Sequence, residues 1–313
     1  MMIKWMAVLL MLMAGLLLAL PARAQEDTYN ADEAIAFLET MQNPDGGFTN
    51  GFAPESDLAT TADVVIAAVA AGHDPNAFFS GDMLNPFAFL GTQVSTGSLT
   101  GPGQIAKVLT AVIAAGKDPL AFAGHNLVED LLAQQGENGL FGAGAFDHCL
   151  ALIALQNAGV ELPAGSVEVL LEGQDEAGGW GFMPGNAPDT NTTGLCLQPL
   201  ALADETDAVE AGLNYLAGIQ NEDGGWPYQN PSDFGTDSDA NSTALVLQAL
   251  IAAGQDLAEW NNPQDGLAAL QLESGAFAYQ TAQPGDSVPA TVAVIPALEG
   301  VALNAWAPEP AAE

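Results

Sequence analysis

The chain has 313 residues, of which 39 are acidic and only four are lysine or arginine, so its formal net charge is −35. This charge repels nucleic acids, anionic lipids and phosphorylated substrates, and it excludes them as partners. Hydrophobic residues make up 49% of the sequence, the share expected for a folded domain rather than a disordered chain.

The N-terminus has the pattern of a secretory signal at residues 1–24. A charged start at Lys4 is followed by an apolar run over 6–20 and by the small-residue site Ala22-Arg23-Ala24. No cysteine follows the run to accept a lipid. We therefore expect cleavage near Ala24, no transmembrane anchor, and a mature protein that is secreted, either periplasmic or extracellular.

The rest of the chain repeats with a period of about 45 residues. Phrases such as "VAAGHDP" (69–75), "IAAGKDP" (113–119) and "LIAAGQDL" (250–257) mark equivalent points. Six units of nearly constant length predict a repeat architecture. The marker residues are Gly72, Gly116, Gly159, Asp204, Gly254 and Gly300.

Each unit contains two helical patterns. The first is amphipathic and the second is apolar on nearly every side, which is typical of a buried helix. We therefore predict an all-α fold, an (α/α)6 barrel of six helical hairpins over residues 25–303 with a short tail at 304–313. The amphipathic stretches are 32–42, 126–135, 166–174 and 208–220, and the apolar ones are 62–72, 105–116, 149–159 and 243–254.

The apolar stretch 288–306 contains Pro289, Pro296 and Glu299, and we interpret it as the sixth inner helix rather than an anchor.

Glycine-aromatic loops stand between the two helices of most units. They read "QNPDGGF" (42–48), "GQDEAGGWGF" (173–182) and "QNEDGGWPY" (220–228). Glycine ends a helix in the left-handed conformation without a Cβ penalty, and the aromatic ring can then cover the helix end. The rings could form a binding surface, but the pattern favours a structural clasp between neighbouring pairs. The equivalent aromatic residues are Phe48, Phe141, Trp180, Trp226 and Phe277, and the second unit has no clear counterpart.

These loops resemble the repeat of the superfamily that contains squalene-hopene cyclases, protein prenyltransferases and transcobalamins. The resemblance covers most of residues 30–303 and is best at "QNEDGGW" and "GQDEAGGWGF". It implies an α/α toroid. It does not imply an activity, because the superfamily contains both enzymes and binding proteins.

Polar residues gather where the inner helices begin. Asp, Asn, Ser and Thr cap helix N-termini, and taken singly each of these residues is best interpreted as such a cap. Taken together they could form a site, because parallel inner helices would bring six such ends to one mouth of the barrel. A rim lined with Asp57, Asp147, Asp189, Asp237, Asp239 and Asp286 would favour a neutral or cationic ligand over an anion. The predicted ligand-binding residues are Asp57, Asp147, His148, Asp189, Asn191, Asp239 and Asn241.

The known catalytic motifs of the superfamily are incomplete. Asp237-Ser238-Asp239-Ala240 lacks the last residue of the acidic DxDD motif of terpene cyclases, although Asp237 and Asp239 stay weak candidates for an acid. Asp147-His148-Cys149 matches the D-x-C part of the prenyltransferase zinc site, but no histidine follows it. Complement-like thioester domains need Cys-Gly-Glu-Gln, which is absent. Glycosidase chemistry with paired carboxylates stays open. We expect no metal and no cofactor.

Cys149 and Cys196 lie ten and eight residues before their markers. On adjacent inner helices this offset suggests side chains that point in different directions, so the spacing favours two buried free thiols over a disulfide.

The sequence thus favours a secreted, non-catalytic toroid that binds a neutral or cationic small molecule or an envelope component. An enzyme that resembles cyclases or glycosidases and uses the rim aspartates is the alternative. A structural envelope module without a small ligand is a third possibility.

Overall fold

The computed structural model describes residues 29–233 and 235–308, so the predicted signal at 1–24 lies outside it. The outer helices are α1 (Ala31–Glu39), α3 (Pro86–Ser95), α5 (Leu127–Leu132), α7 (Ser166–Glu172), α9 (Thr206–Ile219) and α11 (Pro263–Ala268). The inner helices are α2 (Leu58–Ala70), α4 (Pro102–Ala114), α6 (Ala145–Asn157), α8 (Thr190–Leu202), α10 (Ala240–Ala252) and α12 (Val288–Leu298). Two short 3-10 helices cover Pro75–Ala77 and Leu257–Trp260.

The inner helices form a closed ring. Each one packs on the next in chain order, from α2 to α12, and α12 packs back on α2. The first and last units are also joined by hydrogen bonds. The Gln271 side chain donates to the Asn30 carbonyl oxygen and accepts from its amide, both at 2.7 Å. The predicted α/α toroid is confirmed.

The hydrogen bonds of the loop glutamine explain why the sequence of the glycine-aromatic loop repeats. In five units its amide nitrogen donates to the carbonyl of a glycine in its own loop and to a backbone carbonyl of the following unit. One side chain therefore shapes the loop and connects two repeats. These residues are Gln42, Gln135, Gln174, Gln220 and Gln271.

The clasp interpretation of the five aromatic residues is confirmed, since each ring is at most 1% exposed. In four units the aromatic backbone N–H donates to the hydroxyl of the threonine at the fourth position of the next inner helix. The Trp180 indole also donates to Leu170 of α7, and the Trp226 indole to Leu216 of α9. The rings thereby cover open carbonyls near the outer helix ends. The threonines are Thr61, Thr193, Thr243 and Thr291.

The six marker residues are equivalent in three dimensions as well as in sequence. All have a positive φ, between 59° at Asp204 and 77° at Gly72. Each stands two residues after the end of an inner helix, where a left-handed residue stops the helix.

Two features differ from the sequence-based expectation. The inner helices begin about four residues earlier than the apolar stretches, because their first turns carry polar residues such as Thr190 and Asn241. Residues 277–287 form an antiparallel hairpin, β1 (Phe277–Gln280) paired with β2 (Gln283–Ser287), which helical periodicity does not reveal.

The prediction of free thiols is wrong: Cys149 and Cys196 form a disulfide between α6 and α8, with Cα atoms 5.0 Å apart. The two cysteines occupy the fifth and seventh positions of their helices, on either side of the sixth. In a ring of equivalent helices, neighbours face each other through opposite flanks. Residues that meet must therefore point in different directions within their own helices.

After α12 the chain crosses the far end of the barrel. Leu303 donates its N–H to Gln198 of α8, and its carbonyl accepts from Asn157 of α6. Gln248 of α10 donates to Val301. No helix within 29–233 or 235–308 is both long and apolar enough to cross a bilayer.

Candidate functional site

A cavity of about 270 Å³ lies on the axis of the ring. The sixth position of every inner helix lines it, and so does the second position of the last four. Because the same positions face the axis, the inner helices run parallel and their N-terminal ends surround one mouth. The sixth-position residues are Asp63, Lys107, Leu150, Leu195, Leu245 and Ala293, and the second-position residues are Phe146, Asn191, Asn241 and Pro289.

The far end of the cavity is covered by the C-terminal segment, because Leu303 contributes to its lining. Much of the wall is aliphatic, with Ile66, Leu150, Leu195 and Val292 among its residues. The site is therefore a pocket with an apolar body that is entered from the N-terminal ends of the inner helices.

One ion pair lies in this wall. The Lys107 ammonium of α4 donates to both carboxylate oxygens of Asp63 on α2, at 2.7 and 2.5 Å. The two side chains are 25% and 27% exposed, so the pair is partly shielded from solvent. It gives the cavity one polar side with little net charge.

Two carboxamides form the opposite polar side. Asn191 and Asn241 occupy the second position of α8 and α10, which are neighbours. Their side-chain oxygens are buried, and no described residue gives either one a hydrogen bond. Unsatisfied buried polar atoms are rare in native proteins, and both residues line the cavity, so these two amides are the candidate polar contacts for a ligand.

Three of the predicted rim aspartates are helix caps. Asp57, Asp189 and Asp239 accept a backbone N–H three residues on, at 2.7, 2.7 and 2.8 Å. Each also accepts the hydroxyl of the same Thr or Ser residue. The structure thus brings them to one end of the ring, with their oxygens already engaged in capping.

The caps of α8 and α10 are further enclosed by tyrosines from the following repeats. Burial raises the pKa of both Asp189 and Asp239 above the ordinary Asp value, and bonds donated to the carboxylates partly offset this. Tyr228 is hydrogen-bonded to Asp189, and Tyr279 to Asp239. Burial and the adjacent Asp239 raise the pKa of Tyr279 to about 12.

The other three rim aspartates are not caps. Asp147 is the third residue of α6, which is capped by Gly144, and burial raises its pKa. Asp237 is exposed and precedes α10. Asp286 lies in β2 and accepts a bond from the Ser274 hydroxyl, while Ser287 caps α12. Asp147, Asp237 and Asp286 therefore do not share the capping role of the first three aspartates, because they stand at other positions relative to the starts of the inner helices.

His148, one of the predicted ligand-binding residues, has a structural role in the clasp of its unit. It stands at the fourth position of α6, where the other clasped units carry threonine. Its Nδ1 accepts the Phe141 N–H at 3.0 Å, and its Nε2 lies 2.8 Å from the Ser166 carbonyl oxygen, to which it donates. With Cys149 in the disulfide, the Asp147-His148-Cys149 motif cannot act as the D-x-C part of a zinc site.

The burial of His148 predicts a pH-dependent stability. Burial lowers its pKa below the ordinary value, and the bond to Ser166 partly opposes this. The unfolded chain takes up a proton as the pH falls through about 6.5 while the folded protein does not, so stability is complete above that pH and is lost below it. We expect the free energy of unfolding to fall by up to ~1.4 kcal/mol per pH unit.

The measurement is urea denaturation at pH 7.5, 6.5 and 5.5. His148→Thr, which restores the residue of the other repeats, should remove most of the decline, whereas His125→Thr should keep it. An equal decline in wild type and His148→Thr would contradict the assignment.

Sequence reasoning missed Asp63 and Lys107, although a signal was present. They are the only charged residues in their apolar stretches and stand 44 residues apart, which places them at the same point of successive repeats. Tyr228 and Tyr279 were also missed, although each follows a clasp aromatic by two residues and so occupies an equivalent position of its repeat.

Comparison with known proteins supports the fold. Residues 2–101 and 148–295 match the family described as the prenyltransferase alpha-alpha toroid domain, whereas no curated protein sequence matches significantly.

Three solved structures show the same fold at low identity. A protein from Actinoplanes is 17% identical, with a TM-score of 0.64 over 86% of this chain and 98% of that chain. The type II terpene cyclase MstE from Scytonema is 15% identical, with a TM-score of 0.64 over 86% and 96%. A glycosidase is 13% identical, with a TM-score of 0.59 over 87% and 96%.

The family match covers more than half of the chain and agrees with the closed ring of six helical pairs. The chain therefore belongs to the prenyltransferase alpha-alpha toroid domain family.

Proposed function

We propose that this protein is a non-catalytic binding protein that holds a small neutral or cationic molecule in its central cavity. The observation that carries the proposal is the pair of Asn191 and Asn241 amides at the mouth of a pocket with an otherwise largely apolar wall. Ligand sites in proteins usually combine apolar walls with a few polar groups that fix orientation.

Charge and size restrict the ligand. The net charge of −35 opposes anions, and Lys107 is already neutralised by Asp63. The volume of about 270 Å³ lies just below the ~300–1,000 Å³ of sites for drug-sized ligands. The cavity thus fits a small molecule, or one end of a larger one.

Export from the cytoplasm is part of the proposal. It is supported by the signal-like residues 1–24 and by the disulfide, because disulfides persist mainly in oxidising compartments.

An acid-base enzyme acting at the same mouth is the second candidate. The raised pKa values of Asp189 and Asp239 support it, as does the fold shared with a terpene cyclase and a glycosidase. The capping bonds argue against it, because both oxygens of each carboxylate accept hydrogen bonds from the next turn of the helix.

Native mass spectrometry of the protein exported from its own host tests the proposal. We expect a stoichiometric organic ligand on the wild type, lost from Leu245→Trp, whose indole fills the cavity. Leu213→Trp is the matched control, since Leu213 lines a separate outer cleft of about 480 Å³. A wild type without ligand, or a ligand retained by Leu245→Trp, would refute binding in the cavity.

Asp239→Asn separates binding from catalysis. The binding proposal expects the ligand to stay bound and unchanged. Turnover of a terpene or glycan by the wild type, abolished in Asp239→Asn with binding intact, would establish the enzyme instead. An empty cavity with tight binding to envelope polymers would indicate a structural module.

A further inference from the structure

A groove of about 740 Å³ continues outward from the mouth of the cavity. Asn241 and Pro289 line both spaces, so the two are contiguous. One side of the groove is formed by β2 and the N-terminus of α12, and the other side is formed by residues 50–52. A ligand end in the cavity can therefore extend into an open channel.

The groove is lined by aromatic rings, apolar residues, neutral polar groups and one carboxylate, that of Asp286. Phe52 is 86% exposed, an unusual position for a large apolar ring. Tyr279 and the amides of Asn50, Asn241 and Gln283 also line the groove, and among the described residues no lysine, arginine or histidine contributes to its lining. Aromatic faces pack against the C–H faces of sugar rings, while amides pair with hydroxyl groups. The same surface offers nothing to neutralise an anion.

One side-chain set occurs twice beside the mouth. Asn191, Asp189 and Tyr228 surround the start of α8, and Asn241, Asp239 and Tyr279 surround the start of the adjacent α10. Of these residues, Asn191 and Asn241 line the cavity, and Asn241 and Tyr279 line the groove. Both sets come from the sequence pattern D-x-N-[S/T]-T followed by a tyrosine of the next repeat. Duplicated groups on neighbouring helices suit a ligand whose own groups recur along a chain.

We propose that the cavity and groove together bind the end of a neutral linear oligosaccharide. The terminal sugar enters the cavity between the Asn191 and Asn241 amides, and the following sugars lie in the groove against Phe52 and Tyr279. This inference rests on the proposed function and assigns its ligand class.

Isothermal titration of the exported protein, after removal of any co-purified ligand, with three neutral hexasaccharides tests it: α-1,4-linked glucose, β-1,4-linked glucose and β-1,4-linked N-acetylglucosamine. At least one should bind ten-fold or more tightly than its monosaccharide, and hexagalacturonate should not bind. Failure of all three, or equal binding of hexagalacturonate, overturns the inference.

Two exposed phenylalanines supply a matched pair of variants. Phe52→Ala should weaken hexasaccharide binding about ten-fold. Phe79→Ala, whose ring is 53% exposed and does not line the groove, should leave it unchanged. Equal affinities of wild type and Phe52→Ala would also overturn the inference. If the exported protein carries a cavity ligand that Leu245→Trp loses but no hexasaccharide binds, the proposed function stands and only the ligand class fails.

Discussion

Replacing both half-cystines in Cys149→Ala/Cys196→Ala is expected to lower the free energy of unfolding by about 4 kcal/mol. The bridge joins residues 47 positions apart, and closing a loop of that length restricts the unfolded chain by roughly this amount. It also ties α6 to α8 within the buried core, where both cysteines are fully buried. Urea denaturation monitored by circular dichroism gives the difference.

Reduction provides an independent control for this prediction. Wild-type protein unfolded in the presence of a reductant should show the stability of the double variant, and the variant itself should not respond to the reductant. A wild-type midpoint that is unchanged by reduction would mean that the bridge does not contribute as proposed.

Trp226→Ala should destabilise the protein by a similar amount, about 4 kcal/mol. The indole is completely buried, lies 6.1 Å from the Trp260 ring and donates to the Leu216 carbonyl. The truncation leaves a cavity in place of the indole and removes the hydrogen bond to the Leu216 carbonyl. The measurement is again urea denaturation, read from far-ultraviolet circular dichroism.

Replacing Trp226 with phenylalanine separates the contribution of ring packing to stability from that of the indole hydrogen bond. Phe48, Phe141 and Phe277 serve as clasps in other repeats, so Trp226→Phe should keep most of the packing and lose only the indole bond. We expect less than half of the alanine effect. A loss below ~1 kcal/mol in Trp226→Ala, as for a surface residue, would contradict the clasp role.

The sequence was sufficient for the architecture because the repeat is encoded redundantly. The marker residue, the loop glutamine and the clasp aromatic each recur, and each has the same role in every unit that contains it. Even Asp204, which is not glycine, takes the left-handed conformation of the other markers. The second unit lacks a clasp aromatic, and the fourth position of α4 is accordingly Ile105 instead of threonine.

The candidate site was harder to predict. Asn191 and Asn241 were expected to bind a ligand and do lie at the mouth, yet the aspartates beside them are used in capping. Composition alone cannot separate the two roles, because both residue types stand in the same first turn. A residue that caps a helix is distinguished from one that lines the cavity by whether its position faces the ring axis. The positions that face the axis are known only from the closed ring.

The same geometry explains the error over the cysteines. Sequence spacing gives a direction around one helix, but contact between helices depends on where the neighbour lies. The fifth and seventh positions flank the axis-facing sixth, so Cys149 and Cys196 meet between α6 and α8.

A crystal structure of the protein purified from its own host, together with any ligand that co-purifies, tests the central claim most directly. The account predicts ligand density on the ring axis, in contact with Asn191 and Asn241 and close to the Asp63–Lys107 pair. Density only in the outer cleft beside Trp260, with the axial cavity filled by protein side chains, would contradict it.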